Sequence, residues 1–269
     1  MRIVILTYES LFSNLMTERL LQEYPGQVAG IVRSDCLIYG KSLPGGLLYL
    51  LQRSGLRFVG RKALELFQSR ATAIGFKLIG REPKVHSLRD MKAIYNVPVI
   101  GSTDVNNPET LQQIKAWQPD LVLSIYLNQL IKAELINLPS QGTLNIHPAL
   151  LPRHRGLFPY FWVIAAGETE TGVTIHWVDQ KFDTGDVLLQ ECLTVEPSDT
   201  IISLSYKSAV TGAAMLVEVV RLVAAGNPPR LPQPNQNVSY HSWPKPADQR
   251  RFRQQGGKYG TIFELWQYM

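Results

Sequence analysis

Short apolar runs alternate with amphipathic stretches through the first part of the chain. The runs are rich in Val, Ile and Leu, and they predict strands at Arg2–Leu6, Val28–Val32, Val97–Ile100, Leu121–Ile125 and Thr143–His147. Between the first two runs, apolar residues recur at helical spacing from Leu11 to Leu21. Strands that alternate with helices indicate parallel βαβ units. The pattern therefore predicts an α/β fold with a doubly wound, mostly parallel, Rossmann-like sheet.

Residues 35–95 interrupt this alternation. About 60 residues separate the second and third predicted strands, which is far more than one crossover helix needs. Leu47–Leu51 and Ala63–Phe67 have helical character, so we expect a helical insertion here. Much of the positive charge falls in the same region, because residues 51–93 hold ten Lys/Arg and three Asp/Glu.

The pattern changes again after His147. It predicts a helix at Leu157–Ala166, two strands at Gly172–Asp179 and Asp186–Cys192, and a long helix over residues 199–225. The last helix ends at a Gly-Asn-Pro-Pro sequence. We therefore expect one domain over residues 1–227 and a C-terminal extension over residues 228–269, which is proline-rich but also contains aromatic residues.

The composition is that of an ordinary globular protein, with 45% hydrophobic and 18% charged residues and a net charge of +5. No apolar run is long enough for a membrane span, which needs about 18 residues. The first strand is too short for a signal sequence. Two cysteines, Cys36 and Cys192, provide neither a disulfide framework nor a zinc site. We expect a cytoplasmic protein that needs no metal.

Candidate chemistry lies at the end of the fifth predicted strand. Side chains alternate along a strand, so Asn145 and His147 point to the same side. Pro148 should end the strand and open that side to a crevice. Ligands of open α/β sheets bind outside the carboxyl ends of the strands. An amide and an imidazole are therefore placed where a ligand binds, and Asp183 lies in the turn between the two later strands.

Two common classes of nucleotide-binding protein are excluded. The first strand is followed by Tyr8-Glu9-Ser10-Leu11-Phe12, without the Gly-x-Gly-x-x-Gly sequence of dinucleotide-binding folds. The chain also lacks the Gly-x-x-x-x-Gly-Lys-Ser/Thr loop of nucleoside triphosphate hydrolases. The parallel sheet therefore does not imply NAD or ATP.

Three segments resemble the formyltransferase superfamily: Leu144–Gly156, Gly172–His176 and Phe182–Val187. The resemblance is clear over about residues 95–195, and the insertion and the extension lie outside it. It implies the formyltransferase fold, with the catalytic domain at residues 1–227, and 10-formyltetrahydrofolate as the formyl donor. It also implies that Asn145, His147 and Asp183 are the catalytic residues.

The chemistry of formyl transfer agrees with these three residues. An amine that attacks the formyl carbon creates an oxyanion, which the Asn145 amide and a protonated His147 can stabilise. His147 ordinarily titrates near neutrality and can move the proton of the amine, with water. Asp183 can orient the imidazole and stabilise its charge.

The resemblance also indicates where the two substrates bind. It places the folate pterin against Tyr126–Ile131 and the loop Val178–Asp183, and the predicted contact residues are Tyr126, Leu127, Ile131, Val178, Asp179 and Phe182. For the acceptor, Arg153 and Arg155 follow Pro152 and can meet a phosphate, and Gly156 permits close backbone approach. Within the aromatic run Phe158–Trp162, we expect Tyr160 to be the most accessible, because its hydroxyl needs a polar partner.

The acceptor itself is open to several interpretations. We expect a small-molecule amine, such as an amino-sugar nucleotide, with phosphate as a possible part of it. Methionyl-tRNA is the alternative, which the basic segments 51–93 and 228–269 favour. Against it, the tRNA enzymes of the family carry a C-terminal β-barrel of about 100 residues, and we expect 42 residues to be too few for one. A formyltetrahydrofolate hydrolase and a non-catalytic folate-binding module are further alternatives, and the oligomeric state is open.

Overall fold

The computed structural model describes residues 1–64 and 83–268. Its strands are β1 Ile3–Thr7, β2 Val28–Ser34, β3 Val99–Ser102, β4 Leu121–Ile125, β5 Thr143–His147, β6 Arg155–Gly156, β7 Glu170–Trp177, β8 Val187–Thr194 and β9 Tyr240–His241. Seven of them form one sheet in the order β3-β2-β1-β4-β5-β7-β8. The first five strands are parallel, and β7 and β8 are antiparallel to their neighbours. The mostly parallel sheet of the prediction is confirmed.

Nine helices with complete bounds connect and cover the strands in the described ranges. They are α1 Leu11–Glu23, α2 Leu43–Ser54, α3 Leu88–Ile94, α4 Pro108–Ala116, α5 Ala133–Ile136, α6 Pro159–Ala166, α7 Ile201–Ala224, α8 Pro246–Gln254 and α9 Ile262–Tyr268. Residues 56–64 are helical as well. Within residues 1–64 and 83–268, no helix has both the length and the apolar character that crossing a membrane requires.

The sheet is buried on both faces, which explains the uninterrupted apolar runs of its central strands. On β1, Ile3 and Ile5 pack in the core that includes α1 and α7, whereas Val4 and Leu6 pack in a second core on the other face, with Ile114 of α4. Alternate residues of one strand thus belong to different cores. This arrangement is the doubly wound architecture expected from the sequence.

The third strand begins two residues later than the sequence pattern predicts. Val97 is buried in the core, but the ladder with β2 starts at Val99. Pro98 lies between them and has no N–H to donate to a ladder. Its carbonyl still accepts a hydrogen bond from the Ile31 N–H at 2.8 Å, so the chain is already aligned with β2 before the strand begins.

The region predicted as an insertion is helical where the structure describes it. Leu47–Leu51 lies within α2, and Ala63 and Leu64 lie in the helical residues 56–64, whereas the rest of Ala63–Phe67 falls outside the described residues. Three leucines of α2 are exposed, namely Leu43, Leu47 and Leu48. The limits of the insertion remain a prediction.

Residues of the predicted C-terminal extension pack on the rest of the chain. Strand β9 pairs with the two-residue strand β6. Phe252 of α8 is fully buried and stacks on Phe161 of α6 with ring centroids 4.7 Å apart. The extension therefore reaches the loop that follows β5, where the candidate chemistry lies.

Candidate active site

The polar side chains of Asn145, His147 and His176 lie on one face of the sheet, where β5 and β7 are neighbours. Asn145 and His147 point the same way along β5, as the alternation predicts, and both approach the carboxylate of Asp183. His176 of β7 is the cross-strand partner of Asn145 in the antiparallel pair. Residues directly opposite each other across two strands have adjacent side chains. The register of the sheet thus adds a second imidazole that the sequence interpretation did not identify.

The amide of Asn145 joins His176 to Asp183. Its Nδ2 lies 3.1 Å from Nε2 of His176 and donates to Oδ1 of Asp183 at 3.3 Å. His176 Nδ1 lies 2.8 Å from the Trp177 carbonyl, which can only accept, so the proton of the ring is on Nδ1 and Nε2 accepts from Asn145. Both amide hydrogens of Asn145 are therefore engaged, and the bond to Asp183 is the longer one.

His147 presents its Nδ1 atom to Asp183. Its Nε2 donates to the backbone carbonyl of His154 at 2.9 Å, which places the proton of the neutral ring there. Nδ1 lies 3.6 Å from Oδ2 of Asp183, beyond hydrogen-bonding distance, and keeps its lone pair. Burial lowers the pKa of His147 below the ordinary value of 6.5, although the Asp183 charge opposes this. The titration of the ring is therefore shifted to lower pH than its ordinary value, which favours the uncharged form as a proton acceptor.

The Asp183 carboxylate is buried and remains ionised. Burial alone would raise its pKa, but His147, His176 and the Gly156 N–H together hold that pKa well below its ordinary range. The Gly156 N–H donates to Oδ2 at 2.8 Å. A hydrogen bond from a backbone N–H favours the charged form of a carboxyl group. Asp183 can therefore stabilise a positive charge on His147.

Only glycine fits at position 156. Its φ angle is +94°, and a Cβ atom there would collide with the backbone carbonyl of His241. That carbonyl accepts from the Leu157 N–H at 2.9 Å, since β9 lies alongside β6. The sequence interpretation assigned Gly156 to the acceptor. In the structure the Gly156 N–H donates a hydrogen bond to Asp183. Glycine is needed here because a side chain would collide with the strand that pairs with β6.

The extension fastens the loop of Asp183 to the loop of Gly156. Gln233 Nε2 donates to the carbonyls of Asp183 at 3.0 Å and Gly185 at 2.8 Å. Its Oε1 accepts from Arg155 Nη2 at 2.7 Å. The Arg155 N–H donates to the carbonyl of Ser239 at 3.0 Å. Residues far from both loops in the sequence thus determine how the loops meet.

The two arginines predicted to meet the acceptor differ in their surroundings. Arg153 Nη1 donates to Glu168 at 3.0 Å, and Nε2 of His154 lies 2.8 Å from the other oxygen of the same carboxylate. Arg153 is thus already paired with an acid. Among the residues that the structure describes, the side chain of Arg155 bonds to that of Gln233, and its Nε is buried without a hydrogen-bond partner. Buried donors are nearly always satisfied, so this Nε is an exception, and the Arg155 side chain has no acidic partner among the described residues.

Tyr160 is buried, and the prediction that it is the most accessible of the four aromatic residues is wrong. Its hydroxyl lies 2.7 Å from the hydroxyl of Tyr126, so the polar partner it needs lies inside the protein. Burial raises the pKa of both tyrosines. Phe158 and Trp162 of the same run are half-buried and more exposed than Tyr160.

The residues predicted to contact folate lie in two adjoining segments. Leu127 and Val178 pack against one core cluster, and Ile131 is buried within it. The Asp179 carboxylate accepts from the Thr184 hydroxyl at 2.6 and 2.7 Å and therefore shapes its own loop. Phe182 is 42% exposed. Leu127, Val178 and Phe182 keep surface for a ligand, whereas Ile131 is mainly a packing residue.

Backbone strain concentrates around the same place. The described ranges contain seven non-glycine residues in the left-handed region, and four of them surround the site: Tyr126, His154, Phe158 and Asp183. This conformation costs about 1–3 kcal/mol for a non-glycine residue and persists where the surrounding contacts enforce it. Such residues cluster at active sites and ligand-binding loops. The described part of the chain shows no group of three or more His, Cys, Asp and Glu side chains arranged to hold a metal ion.

Comparison with known proteins identifies related sequences. The sequence model of the formyl transferase family matches residues 61–220, more than half of the chain. Methionyl-tRNA formyltransferase of Moorella thermoacetica is 35% identical over 153 residues, which are 57% of this chain and 49% of that protein. The enzyme of the same name from Symbiobacterium thermophilum is 36% identical over 162 residues, 60% of this chain and 50% of that protein. The chain spans about half the length of the curated relatives it matches.

Solved structures share the fold at lower sequence identity. An N-formyltransferase from Helicobacter canadensis, in complex with folinic acid and dTDP-3-aminofucose, aligns with a TM-score of 0.59 and 17% identity, covering 92% of this chain and 72% of that one. Glycinamide ribonucleotide transformylase 1 from Symbiobacterium toebii aligns with a TM-score of 0.58 and 18% identity, covering 86% and 94%. These alignments confirm the predicted formyltransferase fold.

Proposed function

Because the chain belongs to the formyl transferase family, we propose that it transfers a formyl group from 10-formyltetrahydrofolate to a primary amine. The observation that carries the proposal is the meeting of Asn145, His147 and Asp183 at the carboxyl end of β5. Amide, uncharged imidazole and ionised carboxylate are the groups that acyl transfer between two nitrogens requires.

His147 moves the proton in the proposed reaction. Bound 10-formyltetrahydrofolate supplies an activated formyl carbon and a nitrogen that can leave it. As the amine forms its bond to this carbon, Nδ1 of His147 accepts the amine proton, directly or through water. The imidazolium then faces Asp183, which stabilises its charge. The same proton passes to the departing nitrogen when the old carbon–nitrogen bond breaks, so the ring ends uncharged.

Asn145 stabilises the negative charge on the formyl oxygen. Its hydrogen bond to Asp183 is 3.3 Å long, at the weak end of the normal range. The formyl oxygen can take this hydrogen, while the bond to His176 holds the amide in position. A single donor of this kind typically contributes about 10²–10³ in rate. His176 is thus a positioning residue for Asn145.

The folate-binding segments fit an apolar ring system next to these groups. Leu127 and Val178 form a half-buried wall over one core cluster, and the exposed ring of Phe182 directly precedes Asp183. The pterin is proposed to lie against this wall, with Ile131 supporting it from behind. Tyr126 packs against the other core cluster and holds the start of the same segment through its hydrogen bond with Tyr160. Asp179 holds the shape of the loop through Thr184.

For the acceptor we propose a small-molecule amine that carries a ring and an anionic group, with an amino-sugar nucleotide as the first candidate. Tyr240 is 59% exposed beside Gly156, so its ring is available for stacking. The half-buried Arg155 side chain bonds to Gln233 and has no acidic partner among the described residues, so its guanidinium suits an anionic oxygen. Gly156 allows the acceptor to approach the backbone next to Asp183, and the Tyr126–Tyr160 pair lies behind it.

Methionyl-tRNA is the second candidate acceptor. The enzymes of Moorella and Symbiobacterium that match this chain at 35% and 36% identity carry that name. Water could also act as acceptor, which would make the protein a formyltetrahydrofolate hydrolase. A binding module without catalysis is the remaining alternative, and the ionised, fully formed Asn145–His147–Asp183 group argues against it.

The experiment is release of tetrahydrofolate from 10-formyltetrahydrofolate with a panel of amines. The panel contains amino-sugar nucleotides, methionyl-tRNA, glycinamide ribonucleotide, amino acids and a sample without amine. We expect release that depends on one class of amine and is lost in Asp183→Asn. Release without amine would establish hydrolysis instead. Folate binding without release under any condition would contradict an enzyme.

A further inference from the structure

A cavity of about 520 Å³ lies away from the catalytic residues, between helical residues 56–64 and the C-terminal extension. Its wall includes Arg57 and Arg61 from the first of these segments and Arg253 and Lys258 from the second. None of the residues assigned above to the catalytic, folate or acceptor sites lines it. The size is within the range of about 300–1,000 Å³ that is usual for small-molecule sites.

The charge of this cavity is strongly positive. The four basic residues face a single acidic lining residue, Glu264, which accepts a hydrogen bond from the Thr200 hydroxyl at 2.6 Å. In residues 1–64 and 83–268, no ion pair involves Arg57, Arg253 or Lys258. Like charges that converge in a concave surface repel each other and attract anions.

The cavity wall is held in place by contacts that do not use the exposed cations. The Arg61 guanidinium lies over the Tyr259 ring, 4.2 Å from its centroid, and donates to the Gly260 carbonyl at 3.1 Å. The carbonyls of Lys258 and Tyr259 accept from the first two N–H groups of α7. The backbone is therefore fixed, while the Arg57, Arg253 and Lys258 side chains remain exposed around the opening.

We propose that this cavity is a second ligand site, which binds a small molecule through a diphosphate or a similar group with at least two negative charges. Two arginines can form bidentate bonds to phosphate oxygens, and Lys258 adds a mobile ammonium group. Phe58 and Gln249 of the lining are buried whereas the basic side chains are exposed, so the ligand would enter from the side of the exposed cations. The site is independent of the proposed reaction.

The test is calorimetric titration of the full chain with inorganic pyrophosphate at low salt. We expect binding that weakens at least tenfold in the double variant Arg253→Gln/Lys258→Gln. The matched control is Arg250→Gln, which removes one exposed charge from the same helix without touching the cavity. That variant should bind as the wild-type protein does. Circular dichroism melting checks folding, and Lys258→Gln alone replaces the double variant if it fails to fold.

A further arm separates this cavity from the proposed acceptor site, where pyrophosphate could also bind. Arg155→Gln should leave the binding intact, because Arg155 does not line the cavity. Binding that is lost in Arg155→Gln and kept in the double variant would overturn the proposal. No binding to the wild-type protein, or equal weakening in Arg250→Gln, would overturn it as well. None of these results depends on formyl transfer.

Discussion

The candidate active site has two halves that are built in different ways. Asn145, His147 and His176 stand on strands of the central sheet, and their positions follow from the ladder between β5 and β7. Asp183 lies on the loop between β7 and β8 and Gly156 at the end of the two-residue strand β6, and both have positive φ angles. We call these groups the strand half and the loop half. The regular hydrogen bonding of the sheet determines where the side chains of the strand half lie, whereas contacts with residues distant in sequence determine the positions of the loop half.

The difference lies in what holds each half. The strand half is embedded in a sheet whose neighbouring side chains are almost fully buried. The loop half is held by hydrogen bonds from the extension, through Gln233 and the carbonyls of Ser239 and His241. A change in the extension can therefore alter the position of Asp183 while Asn145 and His147 stay where they are.

The largest expected effects come from removing one catalytic group from each half. Asp183→Ala should lower kcat by about 10²–10⁴ because the proton relay loses its carboxylate. Asn145→Ala should lower it by about 10²–10³ because the oxyanion loses a donor. Folate affinity, measured by fluorescence titration, should change little in both. Near-normal turnover of Asp183→Ala would show that the loop half does not take part in the chemistry.

Gly156→Ala tests the geometry of the loop half without removing a charged group. A Cβ atom would meet the His241 carbonyl, and alanine is strained at φ +94°. We expect the free energy of unfolding, measured by chemical denaturation, to fall by more than about 1 kcal/mol. We also expect kcat to fall about tenfold or more, because displacement of Asp183 should raise the activation barrier, and about 1.4 kcal/mol corresponds to a factor of ten in rate.

Gly226→Ala is the matched control for this change. Gly226 has a similar φ of +88°, but a Cβ atom there meets nothing within 4 Å. It should therefore share the conformational strain and keep normal kcat. If the two variants lose activity equally, the contact between β6 and β9 is not what positions Asp183.

The strand half could be predicted from the sequence more completely than the loop half. The two-residue period of a strand was enough to place Asn145 and His147 on one face. Extending it along the next strand from Thr174 would have identified His176, which lies opposite Asn145. The central strands and the mostly parallel sheet likewise follow from the sequence pattern, apart from the start of β3, which lies after Pro98.

The loop half was less readable because its contacts are long-range. Gln233 lies 50 residues from Asp183, and no periodicity relates the two. The prediction that Tyr160 is accessible fails because the polar partner of its hydroxyl is the Tyr126 hydroxyl, inside the protein. The lowered pKa of His147 also depends on burial, which the local sequence does not reveal.

Gln233→Ala addresses the link between extension and loop directly. The variant loses donors to the carbonyls of Asp183 and Gly185 and the acceptor of Arg155. Each hydrogen bond contributes about 1 kcal/mol, so we expect kcat to fall by about tenfold while the chain stays folded. The control is Gln236→Ala, since Gln236 is exposed in the same extension. Unchanged kcat in both variants would mean that the extension covers the loops without positioning them.

The smallest effect concerns pH and shows how the two halves are coupled. Burial lowers the pKa of His147, and the reaction needs its uncharged form, so the midpoint of the fall in kcat/KM on the acid side should lie below pH 6.5. The Asp183 charge favours the protonated ring and raises this pKa. Asp183→Asn should therefore move the titration of the His147 ring, followed by NMR, to still lower pH. Glu109→Gln removes a carboxylate on α4, where the residue is exposed, and should leave the titration unchanged. An unchanged titration in Asp183→Asn would mean that the carboxylate does not act on the imidazole, and the two halves would then work independently.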